Sequence, residues 1–179
     1  MCRLSRRLIY NILLHLDMKN LITIITLFLF VSIFKAQQTE VKVMKYEELE
    51  KRIHQEDSRF LIVNFWATTC APCVKELPHF MEVNNQYAGN PKFKMILVSL
   101  DRLVDKERVL KFIKTKNITA EVVLLDDIKR MNTWIPKFEK NWDGNIPVTI
   151  FYKNGEKVYF NDGEMGKEEL EKIITENLQ

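Results

Sequence analysis

Three short apolar runs constrain the fold more than any other feature of this sequence. Arg59 to Trp66 (RFLIVNFW), Lys94 to Leu100 (KMILVSL) and Glu121 to Leu125 (EVVLL) are rich in strand formers and apolar at consecutive rather than alternate positions. Strands of that kind must be covered on both faces. Between the first two lies a helical pattern from about Ala71 to Tyr87. Between the second and third lies another, from Leu103 to Lys116, with Val104, Val109, Phe112 and Ile113 as its apolar set. Strands alternating with helices imply parallel crossovers in one sheet. Tyr46, Leu49 and Ile53 predict an earlier helix near 45–55.

The rhythm then changes. Val148 to Tyr152 and Lys157 to Phe160 flank Asn154-Gly155, a strong hairpin signal, so these two strands should be antiparallel. Leu170, Ile173, Ile174 and Leu178 fall on one face of a final helix. Asp126 to Gly144 is the least regular stretch, where Met131, Trp134, Ile135 and Phe138 suggest a helix interrupted at Pro136. The expected class is α/β, a central mixed sheet flanked by helices with a carboxyl-terminal β-hairpin and helix.

The amino terminus reads differently. Leu21 to Phe34 is an unbroken apolar stretch between Lys19 and Lys35. It is short for a membrane span, which needs about 20 residues, and suits the apolar core of a signal peptide. Residues 1–36 are therefore read as a signal peptide cut near Ala36, with an uncleaved anchor as the alternative, and residues 37–179 as one domain. Met18-Lys19-Asn20 reads as a complete signal start, so the true start is placed at Met18. The chain's 27 basic and 24 acidic residues give +3. Residues 1–36 hold Arg3, Arg6, Arg7, Lys19, Lys35 and Asp17, so the remainder carries 22 basic against 23 acidic. A near-neutral domain does not suit a nucleic-acid binder. The chain's three cysteines exclude a fully paired framework. Without Cys2, only Cys70 and Cys73 remain.

Cys70-Ala71-Pro72-Cys73 follows a buried strand and opens a helix. Unpaired N–H groups and the positive end of the helix dipole there stabilise a thiolate on the first cysteine. The second lies one turn on, within reach of a mixed disulfide formed by the first, which makes the pair a two-electron exchanger. Pro72 in the first turn lacks an N–H that would go unpaired anyway. Three other uses of this spacing stay open. A structural disulfide would close a very small loop, zinc would need two more ligands, and copper delivery would recruit a distant histidine. His79 is the only histidine nearby, and none follows it.

The string Phe65-Trp66-Ala67-Thr68-Thr69-Cys70-Ala71-Pro72-Cys73-Val74-Lys75-Glu76-Leu77-Pro78 resembles the active site of the thioredoxin-like superfamily. It is similar in particular to the exported TlpA/ResA-type thiol–disulfide oxidoreductases, whose pattern runs F-W-A-T-W-C-x-P-C-x-x-E-x-P. Asn145-Ile146-Pro147-Val148-Thr149 resembles the superfamily's cis-proline loop, and the likeness covers about residues 40–179. It implies a thioredoxin-like fold with Cys70 as nucleophile and Cys73 as resolving thiol. It further implies that Pro147 is a cis-proline beside the disulfide, that the Ile146 backbone pairs with substrate, and that Trp66 packs under the active-site loop.

Glu76 matches the family's glutamate that assists proton transfer at the second thiol; a solvated helix glutamate is the alternative. Cytosolic thioredoxins place a buried aspartate where this chain has Asn64. Thr69 departs from the family's tryptophan and removes a large apolar contact beside the site.

The resemblance thus implies an exported, periplasmic or otherwise extracytoplasmic, protein-disulfide reductase without cofactor or metal. Its partners would be disulfide-containing exported clients, an apocytochrome c among them, and a membrane thiol–disulfide relay as electron donor. Membrane contact would be limited to the signal peptide or anchor. Two rival functions are a non-catalytic module that binds metal or a partner, and a thiol peroxidase. The nearness of Cys73 argues against the peroxidase.

Overall fold

The computed structural model describes residues 41–178. The expected signal peptide at 1–36, its cleavage site and the start at Met18 lie outside them. The three apolar runs become β2 (Phe60–Trp66), β3 (Phe93–Ser99) and β4 (Glu121–Leu125), and β1 (Lys42–Met44), β5 (Val148–Lys153) and β6 (Glu156–Asp162) complete one sheet. Its order is β1-β4-β3-β2-β5-β6. The first four strands are mutually parallel, while β5 runs antiparallel to both β2 and β6. The helices are α1 (Tyr46–His54), α2 (Ala71–Tyr87), α3 (Lys106–Thr115), α4 (Met131–Phe138) and α5 (Lys167–Asn177).

Every residue of β2 is buried, and the period-two alternation of side chains divides it between two cores. Phe60, Ile62 and Trp66 pack with Leu77 and Phe80 of α2, Val109 of α3 and Leu170 of α5. Leu61, Val63 and Phe65 pack with Leu49 of α1 and Trp134 of α4 on the other face. Asn64 shares the first face, so its amide points toward α2 rather than solvent. That accident of strand parity brings a polar group into the core below the cysteines.

The structure departs from the sequence expectations in four places. β1 was not anticipated: three residues are too few to show a period, and Lys42 and Val43 are exposed at the sheet edge. The helix expected over Leu103 to Lys116 begins instead with a 3₁₀ turn, Leu103–Asp105, and α3 starts at Lys106. Val104, counted with the apolar set, is 80% exposed there. The interruption expected at Pro136 does not occur, since α4 runs from Met131 to Phe138 with Pro136 inside. The missing N–H costs one bond in a two-turn helix. Packing of Trp134 and Phe138 around Phe65, together with the Trp134 indole N–H donating to the Asp127 carbonyl at 2.9 Å, outweighs it. Finally, β6 extends to Asp162, two residues beyond the expected end.

The hairpin forms as its turn residues dictate. Asn154 and Gly155 have φ of 53° and 78°, the paired positive values of a type I′ turn. A Cβ on Gly155 would lie 3.0 Å from Asp57 Cγ. Gly155→Ala should therefore destabilise the fold by about 1 kcal/mol or more, read from the midpoint of urea unfolding; an unchanged midpoint would mean that the turn relaxes freely.

Candidate active site

The carboxyl end of β2 delivers the chain directly into the cysteine loop. Cys70 is the N-cap of α2, and the Cys73 N–H donates to Cys70 Sγ at 3.3 Å. The two sulfurs are bonded, with an S–S distance of 2.02 Å. The pair is asymmetric in access: Cys73 is fully buried, whereas Cys70 is partly exposed. Only Cys70 is placed to meet a bulky partner. Thr69, beside it, is exposed.

The antiparallel register of β5 on β2 sets Phe65 opposite Val148 and Asn64 opposite Thr149. The loop before β5 is thereby brought to the cysteines. The Ile146–Pro147 peptide bond is cis, and the Ile146 carbonyl oxygen lies 3.7 Å from Cys70 Sγ. Trp66 ends β2 with no exposed surface, its ring centroid 5.2 Å from that of Phe112. Its indole N–H has no hydrogen-bond partner among the described residues. The fold thus gathers Cys70, Cys73, Ile146, Pro147 and Trp66 from separate segments at one end of the sheet.

Glu76 lies one turn beyond Cys73 on the inner face of α2 and is completely buried. The alternative of a solvated helix glutamate does not describe it. Oε1 accepts a hydrogen bond from Asn64 Nδ2 at 2.8 Å, and Oε2 accepts one from the Met165 N–H at 2.8 Å. The Asn64 amide also donates to Thr149 Oγ1 at 3.0 Å. Burial pushes the Glu76 carboxyl up to about 7, against the stabilisation of its charge by the Met165 and Asn64 hydrogen bonds; nearby Glu164 adds to the rise. Two bonds do not replace the water an ionised carboxylate would have. Glu76 is therefore a group that gains and loses its proton near neutrality, one turn from a sulfur.

Sequence reasoning passed over a second buried carboxylate near this site. Asp101, two residues past β3 and 4% exposed, accepts from the Thr68 N–H at 2.9 Å, Thr68 Oγ1 at 2.5 Å, Ser99 Oγ at 2.9 Å and Arg108 Nη2 at 2.9 Å. The visible signal was an aspartate just after a mostly apolar strand, with an arginine two helical turns further on. Burial alone would raise this carboxyl, but the bonds from Thr68 and Arg108 prevail and hold it below its ordinary value.

A cavity of about 840 Å³ opens between the segments that follow β3 and β4, lined among others by Leu103, Val104, Ile128 and Lys129. Neither cysteine lines it. Among the described residues no group of three or more His, Cys, Asp or Glu side chains is placed to hold a metal ion.

Comparison with known proteins agrees with this geometry. Residues 40–122 match the family model described as Thioredoxin. The chain is 27% identical over 126 residues to the thiol-disulfide oxidoreductase ResA of Geobacillus kaustophilus, covering 70% of this chain and 67% of that protein. It is 28% identical over 127 residues to ResA of Bacillus cereus, covering 68% and 66%. The chain therefore spans about two thirds of the length of these relatives. In structure it is similar to a thiol:disulfide interchange protein of the thioredoxin family from Chlorobium tepidum, with a TM-score of 0.58, 23% identity, and 70% of this chain and 84% of that one covered.

Proposed function

The chain carries a thioredoxin-like domain with homologues named ResA thiol-disulfide oxidoreductases, and from that premise we propose that it reduces disulfides of exported proteins through Cys70 and Cys73. The observation that carries this reading is the asymmetric pair at the amino terminus of α2: a partly exposed sulfur that receives the Cys73 N–H, backed by a buried one.

In the reduced protein the Cys70 thiolate attacks one sulfur of the client disulfide, forming a mixed disulfide and releasing the first client thiolate, which takes up a proton. Cys73 then gives its proton to the Glu76 carboxylate and attacks Cys70 Sγ, and the second client thiolate leaves and is protonated. Two electrons and two protons pass from the dithiol to the client, and Cys70–Cys73 ends oxidised, the form seen in the structure. Glu76 suits the proton step because its carboxyl sits near 7. The Ile146 backbone beside cis-Pro147 offers pairing to an extended client segment, and Trp66 supports the loop from below.

Leu21 to Phe34 supports export, with residues 1–36 as signal peptide, the true start at Met18, and residues 37–179 as the working domain. In an oxidising, extracytoplasmic compartment a reductase must be recharged. A membrane thiol–disulfide relay is the donor this reading requires, and an apocytochrome c is one client that would need its cysteines reduced.

The test is the reduction potential of the Cys70–Cys73 pair, measured by equilibration against glutathione at pH 7. A reductant should lie below about −200 mV, the glutaredoxin and thioredoxin end of the range. A value near −120 mV would make the protein an oxidant, and a pair that glutathione and dithiothreitol both fail to reduce would leave it a structural bridge.

A further inference from the structure

We propose that the Asp101–Arg108 ion pair is a positioning device of the active site, which clamps the loop between β2 and Cys70 and holds a cation in the field of the Cys70 sulfur. This deepens the reading of Cys70 as the attacking thiol and rests on it.

The loop Ala67–Thr69 is all that separates the rigid end of β2 from the reactive residue. Its fixed points converge on one place. The Leu100 N–H bonds the Trp66 carbonyl at 2.8 Å, the Thr68 N–H and hydroxyl both bond Asp101, and Arg108 Nε donates to Thr68 Oγ1 at 2.8 Å. Thr68 is thus gripped by its backbone and its side chain. The Asp101 side chain is 1% exposed and that of Arg108 46%. The anion is sealed beneath the loop, and the cation lies over it at the surface. Asp105 accepts from Arg108 Nη1 at 3.1 Å and steadies it.

A buried carboxylate needs a partner and several donors to remain charged. Asp101 has Arg108 together with three donors from Thr68 and Ser99. That is more than holding β3 to α3 requires, and two of those donors belong to Thr68. Thr68 stands two residues before Cys70, at most about 7 Å of backbone away. A guanidinium bonded to Thr68 therefore lies on the order of 10 Å from the sulfur, close enough at a partly buried site to bias a thiolate.

The other charged or titratable side chains near Cys70 are Glu76 below Cys73, the Lys75–Glu164 pair at 2.6 Å, and His79 further along α2. In the Cys70–Cys73 half-reaction two electrons and two protons enter the disulfide. A cation that stabilises the Cys70 thiolate favours the reduced side, and an anion disfavours it.

The experiment uses the full chain and three variants, Arg108→Gln, Arg108→Lys and Asp101→Asn. For each, the dithiol–disulfide equilibrium is measured against glutathione at pH 7. The pH midpoint of iodoacetamide alkylation of the reduced protein is measured alongside, with the modified cysteine located by mass spectrometry. Arg108→Gln should raise the Cys70 midpoint by about half to one pH unit and shift the equilibrium about three- to tenfold toward the disulfide. Arg108→Lys keeps the charge but not the forked geometry and should return most of that shift. Asp101→Asn should move both readouts the opposite way.

A purely structural pair would loosen the loop in every variant. Shifts of one sign in Arg108→Gln and Asp101→Asn, equal shifts in Arg108→Gln and Arg108→Lys, or no shift in Arg108→Gln would each overturn the proposal. Should Asp101→Asn fail to fold, the two Arg108 variants decide alone, since that side chain is half exposed. Alkylation of Cys73 in preference to Cys70 in the unmodified protein would instead overturn the reading of Cys70 as attacker.

Discussion

Cys70→Ser abolishes reduction of a protein disulfide, a loss of about a thousandfold or more, while Cys73→Ser leaves the first step intact and stalls on the second. The asymmetry of the pair makes these outcomes different. Cys70 is partly exposed at the N-cap of α2 and within 3.7 Å of the Ile146 carbonyl, whereas Cys73 has no exposed surface. A serine at position 70 removes the one sulfur of the pair that a client can reach. A serine at position 73 removes the sulfur that would release the client, so the mixed disulfide accumulates and appears as a mass increment that dithiothreitol reverses. Turnover and non-reducing mass spectrometry check both halves. Substantial reductase activity in Cys70→Ser, or a trapped adduct on Cys73 in place of Cys70, would sink the assignment. The trapped partner also identifies the client.

Glu76→Gln should remove a loss of stability that the unmodified protein suffers as pH rises. The folded-state carboxyl of Glu76 is raised from its ordinary 4.5 to about 7 by burial. A raised value means that the folded state favours the neutral acid. The stability this contributes is fully present below about pH 4.5 and is lost as pH rises through about 7. The displacement corresponds to about 3 kcal/mol across that window. Glutamine has no proton to lose, so the stability difference between the two proteins should change by that amount between pH 4.5 and 8, in favour of Glu76→Gln at the alkaline end.

Urea unfolding of the oxidised proteins at several pH values measures it without interference from thiol titration. Asp101, also buried, is shifted the opposite way and drives acid unfolding equally in both proteins. The difference between them therefore isolates Glu76. Parallel curves for the two proteins would show that Glu76 ionises freely in the fold.

Much of this site was legible before folding. Cys70 and Cys73 stand with two residues between them after a run that reads as a buried strand, and Asn154-Gly155 announced its own turn. The loop at Ile146-Pro147 was found through its likeness to a known motif. Its cis bond could not come from spacing, because an X–Pro sequence is compatible with either isomer.

Glu76 was picked out by the resemblance, but its burial and its partners depended on register. Glu76 meets Asn64 twelve residues away and Met165 eighty-nine residues away; nothing in either segment advertises the other. Asp101 and Arg108 carried no signal of this contact in the sequence, because their partner, Thr68, is a neighbour only through the pairing of β2 with β3. Val104 was misassigned because a 3₁₀ turn, not the first turn of α3, carries it.

The sequence by itself determined the longer elements, the two-faced burial of the central strands and the position of the reactive pair, since those follow from local periodicity and from chemistry confined to a few adjacent residues. Tertiary structure alone decided the electrostatics. Whether a carboxylate in α2 is solvated or sealed, and whether an arginine in α3 is idle or lies over the loop before Cys70, depends on how much water is excluded around it. That exclusion is produced by segments far apart in the chain, which meet only when the sheet has closed.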